Sequence, residues 1–376
     1  MSSCSRPLIR LGFIGGSLSS AVGHTHFSAS RLDGYFSLEA GCFSRHDADN
    51  HRTACAYGVS PQRTYANWHD LLDGECDRLD AIVILTPTPS HAEIAITALD
   101  KGFAVICEKA LGTSSRECQD IGEAVMRNRG YLAVTFNYSG YPMVRELQRL
   151  IREGLLGRIQ QIHVEMPQEG YLRTGANPQD WRRHDYAVPT VSLDLGVHVH
   201  HLVDFLTGYQ PVEVMADQTG YGPFPGLIDN VYCLAHYEHG VRLQAWWGKS
   251  ALGYRNGLRL RVFGDLASAE WYQMQSEILQ FADNEGGLHI IDRAAKVADV
   301  STQPRYNRFK AGHPSGFIEA FANLYTDIAD DIQRHRNGES DRNEYVFDAA
   351  HAGSGLRLME AINQSALEHR WSTVPA

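Results

Sequence analysis

The chain has 376 residues, 43% hydrophobic and 21% charged, with a net charge of −10. That length is more than one core usually serves, so two domains are expected, and the composition is ordinary for a soluble globular protein. The acidic balance, without any local run of Lys and Arg, argues against a nucleic-acid partner. No stretch of about 18 apolar residues is present, so no membrane-spanning helix is expected. The first residues, Met1 to Pro7, lack the apolar core of a signal peptide. Seven cysteines, none in a C-x-x-C pair, fit reduced thiols better than disulfides or a zinc site. The expected location is the cytoplasm.

In chain order, residues 8–14 predict a first strand, followed by Gly15-Gly16-Ser17 and, after Gly23, a helix to about Leu32. Strand, glycine turn and helix make a phosphate cradle: glycine lets the backbone approach a pyrophosphate, and the helix start offers free N–H groups. The glycine spacing is not G-x-G-x-x-G, and a plain strand–helix turn without ligand also fits. The second strand, 36–43, ends in Ser44-Arg45-His46-Asp47. An acid at such a tip reads the ribose of NAD, whereas Arg suits the 2′-phosphate of NADP. Ser44 and Arg45 come first, which leans the cofactor choice, NAD or NADP, toward NADP. Arg45 read only as a solvated loop charge is the plainer alternative.

Further strands are predicted at 79–85, 103–107 and 131–136, with helices at about 91–101 and 114–129 between them. Alternating strands and helices demand a parallel, doubly wound sheet. Its strand tips, including Thr86-Pro87-Thr88, Glu108-Lys109 and Asn137, are expected to line one edge. Beyond Asn137, eight strand-like runs between 159 and 291, several joined by short turns, predict a mainly antiparallel sheet. Helices return at about 315–334 and 341–364. The expected fold class is therefore α/β: a Rossmann-type domain over 1–137 and an α+β domain over 138–376.

Two places carry candidate chemistry. Lys109 ends a buried strand, where an ammonium is partly desolvated and can donate to a substrate oxygen; a surface ion pair with Glu108 is the ordinary alternative. Asp194 and His198 are four apart and share a face if helical. A carboxylate beside an imidazole fixes its tautomer and raises its basicity, as proton transfer needs; a structural His near a helix start is the ordinary alternative. His200, His201 and Asp204 supply further possible partners, and a metal site of His198 with His201 is conceivable, but no Glu-x-x-His or Cys pattern supports it, so no metal is expected. Trp246-Trp247-Gly248-Lys249-Ser250 contains Gly-Lys-Ser without the upstream glycine of a phosphate loop and is set aside. Trp181-Arg182-Arg183 and the segment around His313 read as loops feeding a crevice.

Together these residues resemble the Gfo/Idh/MocA family of nicotinamide-dependent sugar and cyclitol oxidoreductases. Glu108-Lys109-Ala110 is similar to its Glu-Lys-Pro signature, Leu85-Thr86-Pro87-Thr88 with His91 to its strand-4 turn, Phe136-Asn137-Tyr138 to its fifth-strand tip, and Asp194 with His198 to its catalytic helix. Gly312 to Phe321 resembles its late substrate-domain segment. The resemblance implies hydride transfer between the nicotinamide C4 and a hydroxyl-bearing carbon. It implies that Lys109 polarises the reacting oxygen, His198 moves its proton and Asp194 orients His198. Gly15, Gly16, Ser17, Ser44, Arg45, Thr86, Pro87, Thr88, His91, Glu108, Lys109 and Asn137 would contact the cofactor. Tyr171, Trp181, Arg182 and His313 would be lesser contacts to a small sugar or cyclitol. A homodimer or homotetramer is implied as well. Three departures stand out. Ala110 replaces the family Pro, which removes a rigid turn and the basis for a cis peptide. The glycine loop carries an insert, so the pyrophosphate contact falls among Gly16, Ser17 and Ser20. Val191-Ser192-Leu193 replaces a Gly-Gly run before Asp194. Two other readings remain open on this scaffold: a cofactor-bound regulator without chemistry, and a glycosidase that oxidises its substrate transiently.

Overall fold

The structure, a computed structural model, describes residues 8–339 and 341–375. They form two compact units. The first gathers the described residues up to Gly112 with Arg116–Gly140 and Phe317–Ala352; the second comprises Thr113–Ser115, Tyr141–Gly316 and Gly353 onward. The chain thus passes between the units more than once: Thr113–Ser115 are compact with the second, and Phe317–Ala352 with the first.

In the first unit, β1 (Ile9–Gly15), α1 (Gly23–Leu32), β2 (Phe36–Cys42), α2 (Asp47–Tyr57), α3 (Trp68–Gly74), β3 (Ala81–Leu85), α4 (His91–Asp100), β4 (Ala104–Glu108), α5 (Ser115–Asn128) and β5 (Leu132–Thr135) follow one another. The sheet order is β2-β1-β3-β4-β5, every pairing parallel. The chain steps outward from β1 to β2 and then returns to the other side at β3. The carboxyl ends of β1 and β3 therefore flank the switch point at which doubly wound sheets hold nucleotides. Strands buried on both faces explain the continuous apolar runs, β3 being buried at all five positions.

On one face of this sheet, alternate residues of β1 (Ile9, Leu11, Phe13) and β3 (Ala81, Val83, Leu85) meet a late helix, Phe317–Arg336. Phe321, Leu324, Tyr325, Ile328 and Ile332 form its apolar stripe at helical spacing. It also comes close to the turn after β5. A Cβ at Gly140 would lie 2.1 Å from the Ala320 carbonyl oxygen, and Asn323 Nδ2 donates to the Gly140 carbonyl at 2.9 Å.

The second unit holds α6 (Pro142–Arg152), β6 (Ile159–Pro167), α7 (Val197–Thr207), β7 (Pro211–Thr219), β8 (Asn230–Tyr237), β9 (Arg242–Gly248), β10 (Arg259–Gly264), β11 (Ala267–Tyr272), β12 (Ile278–Asp283) and β13 (Leu288–Asp292). The late helix of the first unit is α8; α9 (Ala349–Glu368) and the short β14 (Ser372–Thr373) follow it. Among the described residues the second sheet runs β13-β12-β11-β10-β6-β9-β8-β7-β14. Its pairings are antiparallel except β6 with β9. Along β8 and β9, Val231, Cys233, Ala235, Leu243, Ala245 and Trp247 are buried while Tyr232 and Leu234 are exposed, the signature of a sheet covered on one side. No helix of the described residues is long and apolar enough to cross a membrane.

Candidate active site

The glycine turn after β1 is held by contact rather than by motif spacing. Gly15 and Gly16 have φ of +83° and +77°, a region that side chains disfavour. A Cβ on Gly15 would meet the Leu85 backbone at 2.7 Å, and one on Gly23 the Gly16 carbonyl oxygen at 2.2 Å. The helix start thus packs directly on the turn, and the Ser-rich insert is looped out between them. Within the insert, Ser20 Oγ accepts from the Val22 and Gly23 amides at 3.3 and 3.2 Å. Ser17 Oγ lies 2.9 Å from Ser19 Oγ. Ser20 therefore caps α1, which leaves Gly16 and Ser17 as the closer candidates for a phosphate. Tyr57 of α2 donates to the Gly16 carbonyl at 3.3 Å, and burial pushes its phenol up to about 12, so it stays a donor. Nothing in the sequence marked Tyr57.

At the neighbouring tips, Ser44 Oγ accepts from the His46 amide at 3.1 Å and Arg45 is exposed. Thr86 is half-buried, Pro87 exposed and Thr88 buried. Ser90 Oγ donates to Thr86 Oγ1 at 2.8 Å and stands 2.8 Å from the Pro87 carbonyl. His91 is buried with Nδ1 and Nε2 each 2.8 Å from a main-chain oxygen, of Ala110 and Thr86 respectively. Burial pushes its imidazole below the ordinary value against those two carbonyls, so the neutral ring donates to one at a time. His91 thus braces the β3 turn against the exit of β4. The Lys109–Ala110 bond is cis although Ala stands where proline was expected. Asn137 is buried, and its Nδ2 meets no acceptor among the described residues. An orphaned buried amide and a glycine cradle that a Cβ would fill both fit a dinucleotide.

Glu108 faces the fold. His26 Nε2 lies 3.0 Å and Thr135 Oγ1 2.5 Å from its Oε1, and His26 Nδ1 is 2.8 Å from the Tyr325 hydroxyl. The geometry fits a Tyr325 hydroxyl donating to Nδ1 and Nε2–H donating to the carboxylate. Burial alone would raise the Glu108 carboxyl, but the His26 bond, with Lys109 and Thr135 adding to it, holds it below the usual range. Lys109 itself is half-buried.

In the second unit Asp194 lies in a π-helical turn, Ser192–Gly196, which leads into α7 with His198 in its first turn. An α-helical start was expected; Gly196 packs against Met359 and Trp247 here, and Trp247 Nε1 donates to Ser192 Oγ at 3.2 Å. Both Asp194 and His198 are buried. The Asp194 carboxylate carries two cations: Arg182 donates through Nε at 3.0 Å and Nη2 at 3.3 Å, and Lys249 bonds the same Oδ2. Tyr171 and Trp181 join this cluster through their rings, under Lys249 at 5.2 Å and Arg182 at 4.4 Å. The expected contacts Tyr171, Trp181 and Arg182 are therefore brought together around Asp194. His313 is held by different contacts: its carbonyl accepts from Arg293 at 3.0 Å and its ring lies edge-on to Phe309. Lys249 was missed because Gly-Lys-Ser was tested only as a phosphate loop. Its place at the exit of β9 was the available signal.

A doubly wound sheet with a glycine cradle, joined to a sheet domain with an Asp–His helix, defines a dinucleotide-dependent oxidoreductase. Residues 9–136 match the oxidoreductase family model described as an NAD-binding Rossmann fold, and 144–270 the GFO/IDH/MocA C-terminal domain. The uncharacterized oxidoreductase YfiI of Bacillus subtilis is 30% identical over 96% of this chain and 95% of its own. An inositol dehydrogenase homolog from Azotobacter vinelandii, solved with NADH and myo-inositol, superposes with a TM-score of 0.90 at 27% identity over 97% of each chain. Inositol 2-dehydrogenase 2 of Saccharopolyspora erythraea is 26% identical over 64% of this chain and 68% of its own. The chain belongs to the GFO/IDH/MocA family of NAD-binding oxidoreductases.

Proposed function

We propose that this enzyme oxidises a hydroxyl-bearing ring carbon of a sugar or cyclitol, or reduces the corresponding ketone, with NADP preferred over NAD. The observation that carries the dehydrogenase reading is the likeness, over nearly the full length, to a homolog solved with NADH and myo-inositol; the lean to NADP rests on Arg45 alone. Bound nicotinamide accepts or supplies the hydride. Gly15, Gly16 and Ser17 hold its pyrophosphate, Ser44 and Arg45 its ribose end, and Asn137 with the Thr86–Thr88 turn its nicotinamide half. The Lys109 ammonium donates to the reacting oxygen, and the His198 imidazole takes the hydroxyl proton or returns it. Asp194 keeps that imidazole oriented and balances its charge when protonated. Tyr171, Trp181 and Arg182 shape the substrate side, with His313 a further contact. Exposed Tyr232 and Leu234 on β8 support pairing of sheets in a homodimer or homotetramer.

The test is a panel of inositols, aldoses and nucleotide sugars with both cofactors, followed at the reduced-nicotinamide absorbance. On the substrate so found, Lys109→Ala and His198→Ala are each expected to lower kcat at least about a hundredfold, with NADPH binding retained. Full activity in either variant would overturn the role given to that residue.

A further inference from the structure

Lys249 is the unexplained member of the Asp194 cluster. It is only 7% exposed, and its ammonium bonds Asp194 Oδ2 and lies over the Tyr171 ring at 5.2 Å. Arg182 alone already gives Asp194 a forked partner on both oxygens. A second buried cation adds desolvation cost without being needed to satisfy the carboxylate. Such a group is better explained by what it meets from outside the chain.

The surrounding charges say what that is. Two further carboxylates act on Tyr171, those of Asp185 and Asp229. Asp185 accepts from the Thr190 and Ile228 amides, and Asp229 from the Tyr221 and Gly222 amides and the Asn230 side chain. Arg183 lies over Phe224, which packs on Tyr171. Among these six groups, Asp185, Asp194 and Asp229 stand against Arg182, Arg183 and Lys249, which leaves them no surplus charge with which to recruit an anion. What it offers is an ammonium and a carboxylate in hydrogen-bond contact. An acceptor and a donor at that spacing match the oxygens of two hydroxyls on adjacent ring carbons, one donating to Asp194 and the other accepting from Lys249.

We infer that Lys249 is a specificity-determining residue: with Asp194 it reads a vicinal pair of hydroxyls on an uncharged ring polyol. This rests on the proposed dehydrogenase function.

The experiment uses the full-length enzyme with NADP+ and NAD+, and myo-inositol and its monodeoxy derivatives as probes. Lys249→Met keeps an unbranched side chain of similar reach and removes the donors. It is expected to lower kcat/KM on myo-inositol about a hundredfold, because a site built around a hydroxyl discriminates strongly against losing that bond. On the one deoxy-inositol that lacks the hydroxyl bound by Lys249, variant and parent should agree within about threefold. Lys249→Arg, which keeps the charge, should recover part of the loss. An equal loss on every polyol, or no loss, overturns the inference and leaves the dehydrogenase reading intact. Should Lys249→Met not fold, the same comparison is decided with Lys249→Arg, whose deficit must vanish on that one deoxy derivative. If the unaltered enzyme neither turns over nor, by calorimetry of its NADPH complex, binds any of these polyols, the inference falls, while the dehydrogenase reading is decided by the wider panel of aldoses and nucleotide sugars.

Discussion

At the scale of one residue, the proposed preference for NADP rests on Arg45. It is exposed at the tip after β2, and Ser44 beside it turns its hydroxyl to the His46 amide. A guanidinium there suits a 2′-phosphate, and the first acid, Asp47, opens α2. Arg45→Ala is expected to raise the Kd for NADPH at least about tenfold, the scale of one charge-assisted bond, while leaving that for NADH within about twofold. Fluorescence titration of both cofactors checks this, and equal affinities in the unaltered protein would remove the lean toward NADP. The residues that sequence reading passed over are partners rather than principals. His26, Tyr57, Arg182 as a ligand of Asp194, and Lys249 become visible only when a principal's hydrogen bonds are followed.

At the scale of elements, α8 is the informative piece. Its sequence is an amphipathic helix, and nothing in it states which sheet it covers. The structure places Phe321, Leu324, Tyr325, Ile328 and Ile332 in the core of the first unit. Tyr325 reaches His26, and Arg336 pairs with Asp80 at 2.9 Å. Ile328 is fully buried there, so Ile328→Ala is expected to destabilise the first unit by about 2–5 kcal/mol. Leu367→Ala on α9, where the side chain is 73% exposed, should change stability by less than about 0.5 kcal/mol. Urea unfolding of both variants measures this. A negligible effect of Ile328→Ala would remove α8 from that core.

For the whole molecule, paired carboxylates set the acid limit, Glu108, Glu75 and Asp80 among them. Glu108 is held low by His26, Lys109 and Thr135 against burial. Glu75, also working against burial, is held low by Arg63 and Tyr65, and Asp80 by Arg10 and Arg336. A carboxyl whose folded value lies below its unfolded one contributes stability that is complete above the unfolded value, about 4, and disappears as pH falls through the folded one. The unfolding temperature should therefore be level from about pH 7 to 5 on this account and fall steadily below about pH 4.5. Calorimetry across that range checks it, and a level temperature down to about pH 3 would show these pairs to be without effect.

What the sequence alone determined was local: alternation of buried strands with helices pointed to the doubly wound sheet, and strand-like runs joined by short turns after residue 159 to the second sheet, because both signals come from neighbouring residues. The candidates Lys109, Asp194 and His198 were singled out there too, each beside a recognisable strand end or helix start. Only the tertiary structure decided that α8 completes the first core, that Gly23 rather than a regular glycine spacing closes the turn, that β6 pairs in parallel with β9, and that Lys249 meets Asp194. All but the glycine turn join residues distant in the chain, and such pairings leave no period in a sequence.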